Sequence, residues 1–89
     1  MATAIVKINN KLGLHARASA KLSKLAGSFR SEVSLSRNGR RVNAKSIMGV
    51  MMLAAGIGST VELETDGADE GEAMDTIAKL FADKFGEGE

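Results

Sequence analysis

The chain has 89 residues, a net charge of +1, no cysteine and a single histidine, which points to one small domain held together by packing alone. Disulfides and thiolate metal sites are excluded, and one histidine would leave a zinc or iron site to carboxylates, a poor donor set. The low charge, with no tryptophan or tyrosine and three phenylalanines, argues against a nucleic-acid binder built on counterion release or base stacking.

The first element is expected over Thr3 to Ile8, where Ala4, Val6 and Ile8 alternate with Thr3, Ile5 and Lys7 at the strand period of two. Asn10 to Leu14 is a loop carrying Gly13. From Ala16 the spacing becomes helical, with Ala18, Leu22, Leu25 and Phe29 on an apolar stripe and Arg17, Lys21, Lys24 and Ser28 on a polar one. Gly27 is the expected stop. Glu32 to Ser36 alternates again, with Val33 and Leu35 inward. Asn38-Gly39 then signals a hairpin, because both residues tolerate positive φ, and the next strand covers Arg40 to Ala44. Ser46 can cap a short helix, Ile47 to Leu53, ended by Gly56. Gly56 to Gly58 reads as a loop, since a lone G-x-G is no nucleotide fingerprint. Thr60 to Thr65 is a fourth strand with Val61 and Leu63 inward, and Asp66-Gly67 turns the chain. Asp69 and Glu72 resemble a capping box for a last helix running to about Phe85. Its buried stripe is Ala73, Ile77, Leu80 and Phe81, and Asp69, Glu70, Glu72 and Asp75 suit its dipole. Gly86 closes it, and the tail of residues 86–89 is expected to be disordered.

The order βαββαβα predicts an α+β fold, with helices on one face of a largely antiparallel sheet and water on the other. The N-terminus lacks the basic flank of a signal peptide, and no apolar run approaches membrane-spanning length. A soluble cytoplasmic protein is the expectation. Residues 1–45 carry ten basic groups against Glu32 alone, and residues 46–89 carry Lys79 and Lys84 against ten acids. The fold either interleaves the two halves or presents a basic face to an anionic partner.

His15 falls at the N-cap of the first helix, where unpaired amides and the helix dipole favour an anion. The amides of Ala16, Arg17 and Ala18 point at whatever hangs from the imidazole, and Arg17 adds a guanidinium suited to phosphate oxygens. A neutral imidazole beside such a nest is what transient phosphorylation requires. By itself, a lone histidine in a cap position is more simply a surface residue. Ser46 is fully explained as an N-cap, although a phosphoserine there would be favoured by the helix terminus. The short helix is apolar nearly all round. Val50 and Leu53, with Ile47 shared, can serve the core while Met48 and Met51 stay exposed as an adaptable docking surface.

"GLHARASA" followed about thirty residues later by "AKSIMGVMML" resembles the histidine-containing phosphocarrier (HPr) family of the bacterial phosphotransferase system, across nearly the whole chain. The resemblance implies one domain over residues 1–89, an open-faced sandwich of three helices on a sheet of strand order 1-4-2-3. It implies that His15 accepts a phosphoryl group on Nδ1 from enzyme I and passes it to enzyme II domains of the A type, with Arg17 as stabiliser. It further implies Ser46 as the target of an ATP-using kinase (HPr kinase/phosphorylase in some lineages), and Lys21, Lys24, Ile47, Met48 and Met51 as docking residues. The carrier would be no enzyme, would need no cofactor or metal, would bind neither nucleic acid nor membrane, and would work as a monomer. Two departures matter. Ala18 stands where the family usually has proline, and the alanine supplies an extra N–H and a looser helix start. "NKLG" resembles the nitrogen-regulatory branch whereas "KSIMGVM" resembles the kinase-regulated carbohydrate branch, and the intact serine motif tips the reading toward the latter.

Overall fold

The computed structural model describes residues 1–86, so the expected disorder of the tail lies, from residue 87 onward, outside the described residues. In chain order the elements are β1 (Ala2–Lys7), α1 (Ala16–Gly27), β2 (Glu32–Arg37), β3 (Arg40–Asn43), α2 (Ile47–Met52), β4 (Thr60–Asp66) and α3 (Glu70–Ala82), followed by a 3₁₀ turn at Lys84–Gly86. The four strands form one sheet in the order β1-β4-β2-β3, every pair antiparallel.

The register explains why alternation in sequence becomes two chemically different faces. One row across the sheet aligns Ala4, Leu63, Leu35 and Val42; the next aligns Ile5, Glu62, Ser36 and Arg41. The first row meets the helices and the second meets water, where Ile5 is 67% exposed. On that outer face Arg41 Nη2 lies 2.8 Å from Glu64 Oε2, so the two oppositely charged halves of the chain do interleave here. Within the sandwich Ile8, Leu22, Leu35, Leu63, Ile77 and Phe81 are almost wholly buried, each stabilising the fold by about 1.5–3 kcal/mol relative to exposure.

The expected elements all form, and several details differ. On α1 the buried face is Ala18, Ser19, Leu22, Ser23 and Ala26, while Leu25 and Phe29 lie only partly buried at its margin. The stripe is rotated toward small residues, which allow close approach of neighbouring elements. Gly27 is the last helical residue but not a left-handed cap; the chain leaves through Ser28 in helical geometry, whose hydroxyl donates to Leu25 O at 2.6 Å. Helix α2 stops one residue early, and Ala54, not Gly56, takes the positive φ after it. The arginines of the hairpin account for this ending. Arg37 Nη1 donates to Leu53 O (3.1 Å) and Arg40 Nη1 to Met52 O (3.2 Å), placing two cations at the negative end of the helix.

The largest correction concerns the last helix. It ends at Ala82, and Lys84 and Phe85 both take positive φ, 54° and 56°. That reversal turns Phe85 inward, where it is 1% exposed and meets Phe81 edge-on with ring centroids 5.0 Å apart. The capping box is also overturned. Asp69 makes no side-chain cap bond; its carboxylate accepts from the amides of Arg30 and Ser31, each at 2.9 Å, and from the Ser31 hydroxyl. Placed before β2, the carboxylate satisfies three donors at once. Asn38 and Gly39 have φ of 52° and 80°, as the hairpin turn requires.

Candidate functional site

The start of α1 is set by a stitched loop. Asn10 Nδ2 donates to Gly13 O at 2.8 Å, and Leu14 N donates to Ala55 O at 3.0 Å. Gly13 sits at φ 65°, and a Cβ there would lie 2.5 Å from the Ala55 carbonyl oxygen. No other residue fits this approach, which brings the His15 loop onto the segment leaving α2. Ser19 Oγ donates to Leu14 O at 3.1 Å, and Ser19 N to His15 O at 2.9 Å, opening the helical ladder.

His15 is the N-cap, with extended backbone at φ −75° and ψ 180°, and its Nδ1 accepts from Arg17 N at 3.2 Å. The imidazole therefore takes the place of the serine or aspartate usual at this position. An accepting Nδ1 in a neutral ring leaves the proton on Nε2. The nucleophilic lone pair thus lies on the nitrogen that faces the helix start. The first-turn amides of Ala16, Arg17 and Ala18 have no acceptor within the helix, and no acidic residue occupies that turn.

Around the partly exposed His15 lies an open depression lined by Lys11, Leu12, Ala16, Arg17, Lys21 and Gly86. Three basic side chains converge there without a carboxylate among the lining residues. This answers the question left by the uneven charge: the sheet's outer face interleaves the halves, and the start of α1 stays basic. Arg17 and Lys21, one helical turn apart, are brought together as their spacing predicted. Lys24 is exposed on the same stripe but does not line the depression. Ala18 is fully buried, so the residue replacing the family's usual proline packs into the core. Lys11, Leu12 and Gly86 are not among the site residues expected from the sequence, where Gly86 figures only as a helix stop. Lys11 and Leu12 enter because the loop folds back, and Gly86 enters only through the reversal at Lys84 and Phe85.

Beside the depression, α2 presents Ile47 (44% exposed), Met48 (69%) and Met51 (38%). Val50 and Leu53 are buried as expected, whereas Ile47 is exposed rather than shared with the core, and Met52 joins the exposed set at 58%. Ser46 caps this helix, its exposed Oγ accepting from Gly49 N at 3.1 Å. The Gly13–Ala55 contact ties the loop that carries His15 to the segment that follows α2. Among the described residues no group of three or more histidine, cysteine, aspartate or glutamate side chains could hold a metal, and no helix is long and apolar enough to cross a membrane.

Comparison with known proteins converges on one family. Residues 2–83 match the family model for the PTS HPr component phosphorylation site. The chain is 76% identical over 82 residues to the phosphocarrier protein HPr of Cupriavidus necator, covering 92% of each chain. It superposes on a crystal structure of HPr-C-His from Thermoanaerobacter tengcongensis with a TM-score of 0.94, at 41% identity and 98% coverage of both chains. An HPr dimer from the same organism gives a TM-score of 0.78 at 41% identity, covering 98% of this chain and 100% of the other.

Proposed function

We infer the workings of this site from one premise: the chain belongs to the HPr family, and it is a phosphocarrier of the phosphotransferase system. On that premise His15 is the phospho-acceptor. Nδ1 attacks the phosphorus of a phosphorylated donor, the donor's bond to phosphorus breaks, and Nε2 keeps its proton throughout. The bond from Arg17 N to Nδ1 passes to a phosphoryl oxygen, which the amides of Ala16 and Ala18 and the Arg17 guanidinium join in holding. Oxygen acceptors so placed make the phosphorylated form accessible without a metal. The transfer then runs in reverse toward the next acceptor, so the protein is a carried substrate and not a catalyst. One observation carries this reading, the 3.2 Å bond that aims Nδ1 at the helix start.

Enzyme I is the proposed donor and enzyme II A-type domains the proposed acceptors. They would dock on Lys21, Lys24, Ile47, Met48 and Met51, exposed lysines of α1 and exposed apolar side chains of α2. The unit of function is the single domain over 1–89, acting as a monomer in the cytoplasm. Incubation with enzyme I and phosphoenolpyruvate should give acid-labile label that His15→Ala lacks; label persisting in the variant would remove His15 from the mechanism.

Ser46 is a proposed regulatory site. Its exposed hydroxyl caps α2 between the apolar docking residues and the chain's basic half. A phosphate there gains the helix-start amides but adds negative charge to an apolar surface, which weakens docking of an acidic partner. A host extract with ATP should label the wild type and not Ser46→Ala. If neither is labelled, Ser46 is a helix cap only, and the nitrogen-regulatory branch becomes the better reading.

A further inference from the structure

Lys21 stands apart from Lys24, the other exposed lysine of α1. Its Nζ donates to the Phe85 carbonyl at 2.7 Å, across 64 residues of sequence. That carbonyl belongs to a turn in which two consecutive non-glycine residues, Lys84 and Phe85, hold positive φ, a conformation that persists only where the surroundings enforce it. Burial of the Phe85 ring against Phe81 is one constraint, and the Lys21 bond is the other. Together they carry Gly86 to the edge of the depression that holds His15 and Arg17; a Cβ at Gly86 would lie 3.5 Å from Lys21 Nζ. The acceptor is a neutral carbonyl, and Lys21 makes no ion pair among the described residues. The ammonium is therefore fixed in place with its full charge still directed at the depression.

We propose that Lys21 is a positioning residue for phosphoryl transfer at His15: it pins the C-terminal turn against α1 as a wall of the depression and holds a second cation beside the phosphoryl group. This rests on His15 being the phospho-acceptor. It assigns Lys21 a task that does not depend on any docked protein, whereas a docking lysine acts only when a partner is bound.

The test compares wild type, Lys21→Met and Lys21→Arg as full chains, with two donors. Phosphoramidate is small and needs no docking; its P–N bond breaks, the Nδ1–P bond forms, and ammonia leaves with a proton. Enzyme I charged by phosphoenolpyruvate needs docking. Lys21→Met should be slowed with both donors by about two- to fivefold, the range of an exposed charge interaction. Lys21→Arg, which keeps a charged donor, should stay within about twofold of wild type by the same measure. A Lys21→Met variant with a raised KM for enzyme I but an unchanged phosphoramidate rate would leave Lys21 with the docking role alone and overturn the proposal. So would a fall in Tm with both rates unchanged, or Lys21→Arg as slow as Lys21→Met. Wild type that takes no label from either donor would overturn the His15 reading and this inference with it.

Discussion

The starts of α1 and α3 share one backbone device. In each, a glycine two residues before the N-cap holds positive φ and lies against a neighbour's backbone. A Cβ on Gly13 would come within 2.5 Å of Ala55 O, and one on Gly67 (φ 152°) within 2.7 Å of Ser31 Cα. The charges that follow are opposite. The first turn of α3 holds Glu70 and Glu72. Asp69 binds the Arg30 and Ser31 amides, and Glu70 accepts from Gly67 N at 3.2 Å and pairs with the Met1 ammonium at 2.8 Å. The first turn of α1 holds no acid and is ringed by Lys11, Arg17 and Lys21. Two similar helix starts thus become a neutralised structural joint and an electropositive site. The backbone puts an electropositive end at both; the charged side chains around it decide whether that end is offset, by Glu70 and Glu72 at α3, or reinforced, as at α1.

The sharpest challenge to this comparison is to crowd both glycines. Gly13→Ala and Gly67→Ala should each destabilise by about 3 kcal/mol, combining positive-φ strain with a forced backbone shift; chemical denaturation measures it. Only Gly13→Ala should also slow phosphorylation per mole of folded protein. Equal slowing in both would mean that the starts of α1 and α3 are not functionally distinct.

A smaller effect separates the joints by pH. The Asp69 carboxyl is held down to about 2 from 3.8, first by the Ser31 hydroxyl and then by the Arg30 amide. Glu70 is lowered too, by its bond to the N-terminus and then by the Gly67 amide. Groups whose folded pKa is depressed stabilise above their unfolded value, and that stability disappears as pH falls through the folded value. Wild-type Tm should therefore drop between about pH 4 and pH 2. Asp69→Asn should start lower and lose part of that slope, leaving the part due to Glu70. A slope identical to wild type would show that the latch at Ser31 is not felt by the fold.

The smallest expected change is at the other start. His15→Ala removes the cap bond to Arg17 N and should cost no more than about 1 kcal/mol, while abolishing phosphotransfer. A loss comparable to Gly13→Ala, read by the same denaturation, would make His15 a structural residue as much as a reactive one.

Most of the architecture was legible because it is written in short periods. Alternation marked three of the four strands, Asn38-Gly39 marked the hairpin and with it the strand from Arg40, and i, i+4 spacing placed Arg17 and Lys21 on one stripe. His15 at a helix start permitted a phosphate site, but its weight came from the two motifs that resemble a known family. Where the pattern misled, the missing partner was distant. Asp69 looked like a cap for its own helix until Ser31, 38 residues earlier in the chain, claimed its carboxylate. Leu25 and Phe29 kept the right period yet lay at the margin of the buried face, because α1 turns Ser19 and Ser23 inward.

The sequence by itself determined which residues could be inside, where the chain must turn, and which single histidine could carry a phosphoryl group, since those depend on local period, φ preference and side-chain chemistry. Tertiary structure decided which charges remain available. Arg37 and Arg40 are committed to the end of α2, Arg41 to Glu64 and Asp69 to Ser31. Lys11, Arg17 and Lys21 are left around His15. That division cannot be read from spacing, because each pairing closes a long loop whose ends meet only after the sheet and helices have packed.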